Sequence, residues 1–310
     1  MPVVIDVPAV LDRNRTLGPD WATWLDRLPG LARSLQADWG LERDGEAMHG
    51  FCSLVLPVLT PEGEAAVLKV SFDGDDESEF EGLMLQHAGG NGMVRLIRAD
   101  PSRRALLLER LDTRDLSTVA DTEACEVVAG LYRRIHRPAP PQLRPVTSYV
   151  ERWAGSLADL PRGAPVPHRM VEQALSLARD LVADEASVGT TIHGDLHHHN
   201  VLAAEREPWL AIDPKPMSGD PHYEPAPMLW NCWDRVVASG NVRGAVRRRF
   251  HTIVDDAGLD EERARDWVVV RMVINANWTI EDAERAGRPL DDAQRDWITR
   301  SVTIAKAVQD

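Results

Sequence analysis

Apolar positions along the chain fall into two textures. In the first third, "FCSLVLPVLTPEGEAAVLKVSF" holds two β-branched apolar runs parted by Thr60-Pro61-Glu62-Gly63-Glu64, which predicts strands at about 51–58 and 65–72 joined as a hairpin. A helical segment at about 19–39 precedes them, and a helix-like piece carrying Phe80, Leu83, Met84 and Leu85 follows. "MVRLIRAD" and "RALLLERLD" then predict a second strand pair about the polar turn Asp100-Pro101-Ser102-Arg103. Beyond Asp112 the spacing changes. Val127, Val128, Leu131, Tyr132 and Ile135 recur at helical intervals behind a cap and acidic first turn at Asp121, Thr122 and Glu123, until "RPAPPQLRP" breaks the run. Further helices are expected near 168–185, 243–256, 260–285 and 290–308, with Trp267, Val270, Ile274 and Trp278 along one face of the third. The pattern is α+β, with a sheet-rich lobe over 1–111 and a larger helical lobe over 112–310.

Composition narrows the classes. A chain of 310 residues with 44% hydrophobic and 27% charged positions suits two globular lobes, and no run approaches the roughly 18 apolar residues of a membrane span. The N-terminal "MPVVIDVPAVLDRNRTLGPDW" has acids early and no basic stretch ahead of an apolar one, so a cytoplasmic location is expected. Cys52, Cys125 and Cys232 lie far apart without CxxC spacing, which predicts free thiols. A net charge of −14 repels a phosphate backbone, argues against nucleic acid and favours a cationic small-molecule partner.

Four of the ten histidines crowd into "IHGDLHHHNVL". Consecutive His197, His198 and His199 point in different directions and cannot converge on one ion, so a zinc site is disfavoured. Asp195 and Asn200 suit another chemistry. In a tight turn an Asp accepts a hydroxyl proton while an Asn offers a neutral oxygen to Mg2+. That chemistry needs a second carboxylate to hold the metal against nucleotide phosphates. "NVLAAEREPWLAID" supplies it, because a hairpin between Val201–Leu202 and Trp209–Ile212 returns Asp213 beside Asn200. Lys69, inside the apolar strand "AVLKV", asks for an anionic partner of its own.

The pattern His193-Gly194-Asp195-Leu196-His197-x-x-Asn200 followed by Asp213 resembles the catalytic loop and metal aspartate of the kinase-like aminoglycoside phosphotransferases, in the streptomycin and hydroxyurea phosphotransferase branch. "NVLAAEREPWLAIDP", "GNGMVRL", "LLLERLD" and "VRRRF" extend the resemblance across most of the chain. It implies a two-lobed protein-kinase-like fold and ATP- and Mg2+-dependent phosphoryl transfer to a small hydroxylated acceptor. Asp195 would be the catalytic base, Asn200 and Asp213 the metal ligands, and Lys69 the grip on the nucleotide phosphates, paired with Glu81 or, one register away, Glu79. In the stretch resembling the hinge, the Glu109 carbonyl and Leu111 N–H would meet adenine, although on pattern alone the segment equally reads as a buried strand ending in a turn.

Three departures stand out. The phosphate-covering segment "MHGFCSL" has only Gly50, leaving Ser53 and neighbouring amides to hold phosphate. Glu224 stands where the family's brace for the catalytic loop, beside His193, is usually Asp. No activation segment follows Asp213, which speaks against a protein substrate. Streptomycin or a related guanidinylated aminocyclitol is the expected acceptor, and its guanidinium groups call for acids and aromatic faces. The candidates are Glu224, Trp230, Asp234, Trp278, Glu281 and Asp282. Alternatives are a kinase of primary metabolism acting on an amino sugar or amino alcohol, a hydroxyurea kinase, or an inactive nucleotide-binding module.

Overall fold

The alternating residues of the first third pair as strands in the computed structural model, which describes residues 5–309. Residues 1–4, included in the expected first lobe and in the stretch read for a leader, and residue 310 lie outside the described residues. Strands β1 (Glu42–Arg43), β2 (Met48–His49), β3 (Ser53–Leu59), β4 (Ala65–Ser71), β5 (Leu96–Asp100) and β6 (Ala105–Glu109) form a six-stranded antiparallel sheet. Its order is β1-β3-β4-β6-β5, with β2 also on β3. The β3–β4 turn closes where Gly63 N donates to Thr60 O at 2.9 Å and Gly63 takes a φ of +82°.

Period-two alternation gives this sheet two different faces. Leu54, Leu56, Val58, Leu68, Val70 and Leu107 turn to one side and join Trp24, Leu25, Leu28 and Leu35 in a single core. Those last four come from α2 (Pro19–Trp39), which follows the short α1 (Ala9–Asp12). Each leucine so buried is worth about 1.5–3 kcal/mol, which makes α2 part of the sheet's foundation. Lys69 falls on the opposite face, between Val55 and Leu106 in register. There α3 (Glu81–Ala88) packs, close enough that a Cβ on Gly82 would meet Leu106 at 3.0 Å. This unit runs to Asp112 and includes Ala204–Arg206.

The second unit comprises Thr113–Ala203 and the chain from Glu207 onward. It holds α4 (Asp121–Ile135), α5 (Val146–Ala158), α6 (His168–Ala183), the short α7 (Ala226–Trp230) and α8 (Trp233–Ala238), then α9 (Val242–Ala257), α10 (Glu261–Arg285) and α11 (Asp292–Ala307). The longest of these, α10, is buried nearly all round over its middle turns, Trp267 to Asn277. Val268, Val269, Met272 and Val273 pack with α6, α9 and α11, while Trp267, Val270 and Ile274 pack with α5, Ile192 and Met217, as a central helix must. The α+β class with an antiparallel sheet and a helical remainder holds.

Elements beyond those expected include α7, α8 and, longest of the three, α5. Its Val146, Tyr149, Val150 and Leu157 are buried at helical spacing, but the preceding proline-rich breaker hides where the run begins. Two ribbons complete the unit: β7 (Thr190–Ile192) pairs with β10 (Met217–Gly219), and β8 (Val201–Ala203) with β9 (Trp209–Ala211). Residues 193–200 and 212–216 are therefore spanned between the same two ribbons.

Candidate active site

The backbone of the loop after β7 is held from several sides. His193 is fully buried, with Nδ1 accepting from Asp195 N at 3.3 Å and Nε2 lying 3.0 Å from Ile212 O. A carbonyl at one nitrogen and an N–H at the other select the neutral ring protonated at Nε2. Burial also pushes its pKa down. His193 O accepts from Lys215 N at 2.8 Å. Gly194 adopts φ +80°, and a Cβ there would come within 2.3 Å of Lys215 O. Only glycine fits this approach.

Glu224 reaches the same turn from the segment after β10. Its Oε1 accepts from His193 N at 2.5 Å and its Oε2 from Gly194 N at 3.1 Å, with His136 Nε2 3.5 Å away. The carboxylate is fully buried. Burial alone would raise its pKa, but His136, His193 and the amide donors outweigh that and hold it below the ordinary carboxylate range. Glu224 is thereby excluded as an acceptor-binding residue, because its group has no exposure and both oxygens are engaged.

Asp195 emerges half-exposed from this frame. Asn200 Nδ2 donates to Asp195 O at 2.9 Å, so the amide presents Oδ1, and Asn200 O accepts from Ile212 N at 2.9 Å. Asp213 follows at once with φ +53°, a left-handed conformation that few non-glycine residues adopt. Its Oδ1 lies 3.6 Å from Lys215 Nζ. Neutral amide oxygen plus carboxylate is the hard donor set that suits Mg2+ beside phosphate oxygens. Among the described residues no group of three or more His, Cys, Asp or Glu is arranged to hold a metal ion by itself.

The clustered histidines part company. His197 Nδ1 accepts from His199 N at 3.2 Å, and burial pushes its pKa down to about 3. His198 is fully buried, about 4.0 Å from Asp121, and burial pushes it to about 4. His199 bonds Asp115 at 2.7 Å.

In the first unit, Lys69 Nζ stands 2.7 Å from both Glu81 oxygens, and both residues are buried, whereas Glu79 is exposed. Ser53 is buried, and its Oγ lies where a Cβ on Gly50 would meet it at 2.7 Å, so its hydroxyl fills the turn beneath Gly50. The Glu109 carboxylate accepts from Arg95 N at 2.6 Å and from Arg206 Nε at 2.9 Å. Burial would raise its pKa, but Arg206 and the Arg95 amide bring it below the usual value. Leu111 is half-buried just past β6.

The remaining acceptor candidates are not drawn into one cluster. Trp278, half-buried, meets Trp153 edge-on at 4.7 Å, and Glu281, one turn on, accepts from Asn277 Nδ2 at 3.0 Å. Asp282 is exposed and paired with Arg285 at 2.9 Å. Trp230 lies over the Arg271 guanidinium at 5.0 Å, and Asp234 is exposed in the first turn of α8.

Sequence reasoning missed several residues that shape this unit. Arg271 donates to Gly194 O and to Tyr223 O. Arg249, in "VRRRF", joins Asp121 to the carbonyls of Met228 and Asn231. Asp220 gathers Trp267, His222 and Arg263. Arg271 had a visible signal, a lone charge in the apolar run "VVVRMVIN".

Residues 38–283 match the family model described as aminoglycoside/hydroxyurea antibiotic resistance kinase. A streptomycin 6-kinase of Streptomyces glaucescens is 39% identical, over 99% of this chain and 97% of its own. A hydroxyurea phosphotransferase of Kitasatospora aureofaciens is 40% identical, over 91% of this chain and 83% of its own. In fold, the chain is similar to an aminoglycoside phosphotransferase crystallised in a ternary complex with ADP and hygromycin B, with a TM-score of 0.58 at 16% identity over 90% of this chain and 98% of that one. The chain belongs to the aminoglycoside/hydroxyurea antibiotic resistance kinase family and is a phosphotransferase of the protein-kinase-like fold.

Proposed function

We propose that the protein transfers the γ-phosphoryl group of ATP to a ring hydroxyl of streptomycin or a closely related guanidinylated aminocyclitol, at the position that streptomycin 6-kinases use. The observation that carries this reading is the held turn at His193–Asp195, which leaves one half-exposed carboxylate, that of Asp195, on a fixed backbone. The near full-length similarity to a streptomycin 6-kinase supports the acceptor.

In this reading Asp195 accepts the proton of the acceptor hydroxyl as its oxygen attacks the γ-phosphorus. The new O–P bond forms while the bond to the β,γ-bridging oxygen breaks, and that electron pair leaves with ADP. Asn200 and Asp213 would hold Mg2+, which when bound offsets the charge of the phosphates. Lys69, kept in place by Glu81, grips the inner phosphates. The Glu109 carbonyl and Leu111 N–H meet the adenine edge. Neutral His193 and the Glu224 carboxylate keep the loop in shape. Trp278 and Glu281 receive a guanidinium group of the acceptor through ring-face and charge-assisted contacts. The reaction takes place in the cytoplasm, where the ATP is.

The relative from Kitasatospora aureofaciens favours a second reading, phosphorylation of hydroxyurea. One experiment separates the two. Purified protein is incubated with Mg-ATP and a panel of aminocyclitol antibiotics, amino sugars and hydroxyurea, and the products are analysed by mass spectrometry. Phosphorylated streptomycin is expected. A phosphorylated amino sugar or hydroxyurea with unmodified streptomycin would overturn the acceptor assignment.

A further inference from the structure

The turn that carries Asp195 is an unusual place to leave to backbone preference. Gly194 has the widest conformational freedom of any residue type, and at φ +80° a neighbouring peptide plane can flip at small cost. A rotation about the Gly194 Cα–C bond that is not cancelled at the following φ would carry the Gly194–Asp195 peptide with it and swing the Asp195 side chain away from its present direction. Two consecutive planes are nevertheless bonded at both ends. In the His193–Gly194 peptide, the carbonyl takes Lys215 N at 2.8 Å and the N–H goes to Glu224 at 3.1 Å. In the Gly194–Asp195 peptide, the N–H goes to His193 Nδ1 at 3.3 Å and the carbonyl receives the Arg271 guanidinium. Among the described residues, Arg271 is the side chain seen to hold the oxygen end of the plane leading into Asp195.

Its surroundings suit that task. Arg271 lies in the middle of α10 and is 8% exposed. A second N–H donates to Tyr223 O at 3.3 Å, directly before Glu224, so one rigid fork joins the Gly194 carbonyl to the backbone that presents Glu224. The guanidinium carbon sits 4.3 Å from the Tyr223 ring centroid and 5.0 Å from that of Trp230. Ring faces offset part of the cost of burying the cation and fix its plane. A lysine at this position would keep the charge, but as a point donor it has no planar fork to bridge two carbonyls.

We propose that Arg271 is a positioning residue for the catalytic carboxylate, locking the Gly194–Asp195 peptide plane from α10 so that Asp195 faces the acceptor hydroxyl. The proposal rests on the reading of Asp195 given above. It also gives Trp230 a role, to cover the Arg271 guanidinium instead of meeting the acceptor.

The test compares Arg271→Met and Arg271→Lys in two backgrounds, wild type and Asp195→Asn, with Mg-ATP and streptomycin. Arg271→Met is expected to lower kcat by about 10- to 100-fold with the KM for ATP unchanged, the size expected of a misplaced catalytic group. Arg271→Lys should recover part of that loss. In the Asp195→Asn background, where no carboxylate remains to be positioned, Arg271→Met should change kcat by less than about 3-fold, because residues acting through one another are not additive. The same large factor in both backgrounds, with Asp195→Asn itself severely impaired, would overturn the role of Arg271 and leave that of Asp195 standing. Wild-type turnover in Asp195→Asn alone would overturn both. Hydrogen exchange of the Gly194 to Leu196 amides supplies a readout independent of any acceptor. Faster exchange in either Arg271 variant is expected, and unchanged protection would contradict the lock. If the Met variant does not fold, the two-background comparison is made with Lys.

Discussion

The turn at His193–Asp195 and the late turns of α10 are held in opposite ways. In the turn, both peptide planes are bonded at each end, and the anchoring groups Glu224, His193 and Arg271 are all buried. Late in α10, Trp278 and Glu281 are half-buried and Asp282 is exposed. The contrast matches the separate demands of the two tasks. Phosphoryl transfer needs a carboxylate fixed within a fraction of an ångström, whereas acceptor recognition needs surface left open to a ligand. In the proposed reading, rigid chemistry and adaptable recognition fall on different parts of the same unit.

The contrast breaks most visibly if Asp195 is dispensable. Asp195→Asn should lose roughly 10²–10⁴-fold in turnover, the range of a positioned general base, while keeping Mg-ATP affinity. Steady-state kinetics beside nucleotide titration checks both halves. Gly194→Ala comes next. Its added Cβ would lie 2.3 Å from Lys215 O at a residue with φ +80°, and turnover should fall by about 10²-fold through displacement of the following residue.

Glu224→Gln replaces an acceptor oxygen with an NH2 that faces a backbone N–H, at an expected cost of about 1–3 kcal/mol in unfolding free energy. A denaturant titration measures it. The pH dependence has a definite sign. Because the Glu224 carboxyl titrates lower in the folded protein than in the unfolded chain, its contribution is complete above the unfolded pKa and disappears as pH falls through the lowered folded value. The wild type should lose this stability below about pH 4. Glu224→Gln should show a shallower acid slope, and identical slopes would refute the assignment.

These effects follow from features that were unequally visible in the sequence. The strand pairs, the long helix at 260–285 and the β8–β9 hairpin that links the loop of Asp195 and Asn200 to Asp213 were legible, because alternation and turn signals are local properties. Partners distant in the chain were not. Arg271 showed as a charge in an apolar run, as Lys69 did, but nothing local ties it to a carbonyl at Gly194. Glu224 was expected in two roles, and only burial separates them. The acidic positions of α10 looked alike in sequence, yet Asp282 pairs with Arg285 in solvent while Glu281 joins Asn277. Which side of a helix meets water is decided by packing with elements far along the chain.

At the small end of the scale, Trp278→Ala should raise the acceptor KM by roughly 3- to 30-fold through loss of a ring face for a cation, with the ATP KM unchanged. Asp282→Asn should alter neither kinetics nor the unfolding midpoint, since its pairing is exposed. A clear acceptor effect in Asp282→Asn would move the recognition surface to the other side of α10.

The separation of chemistry from recognition is tested most directly by calorimetric titration of streptomycin into Asp195→Asn and Trp278→Ala side by side. The account predicts wild-type affinity in Asp195→Asn, which should turn over little, and weakened binding in Trp278→Ala. Lost binding in Asp195→Asn together with wild-type binding in Trp278→Ala would contradict it.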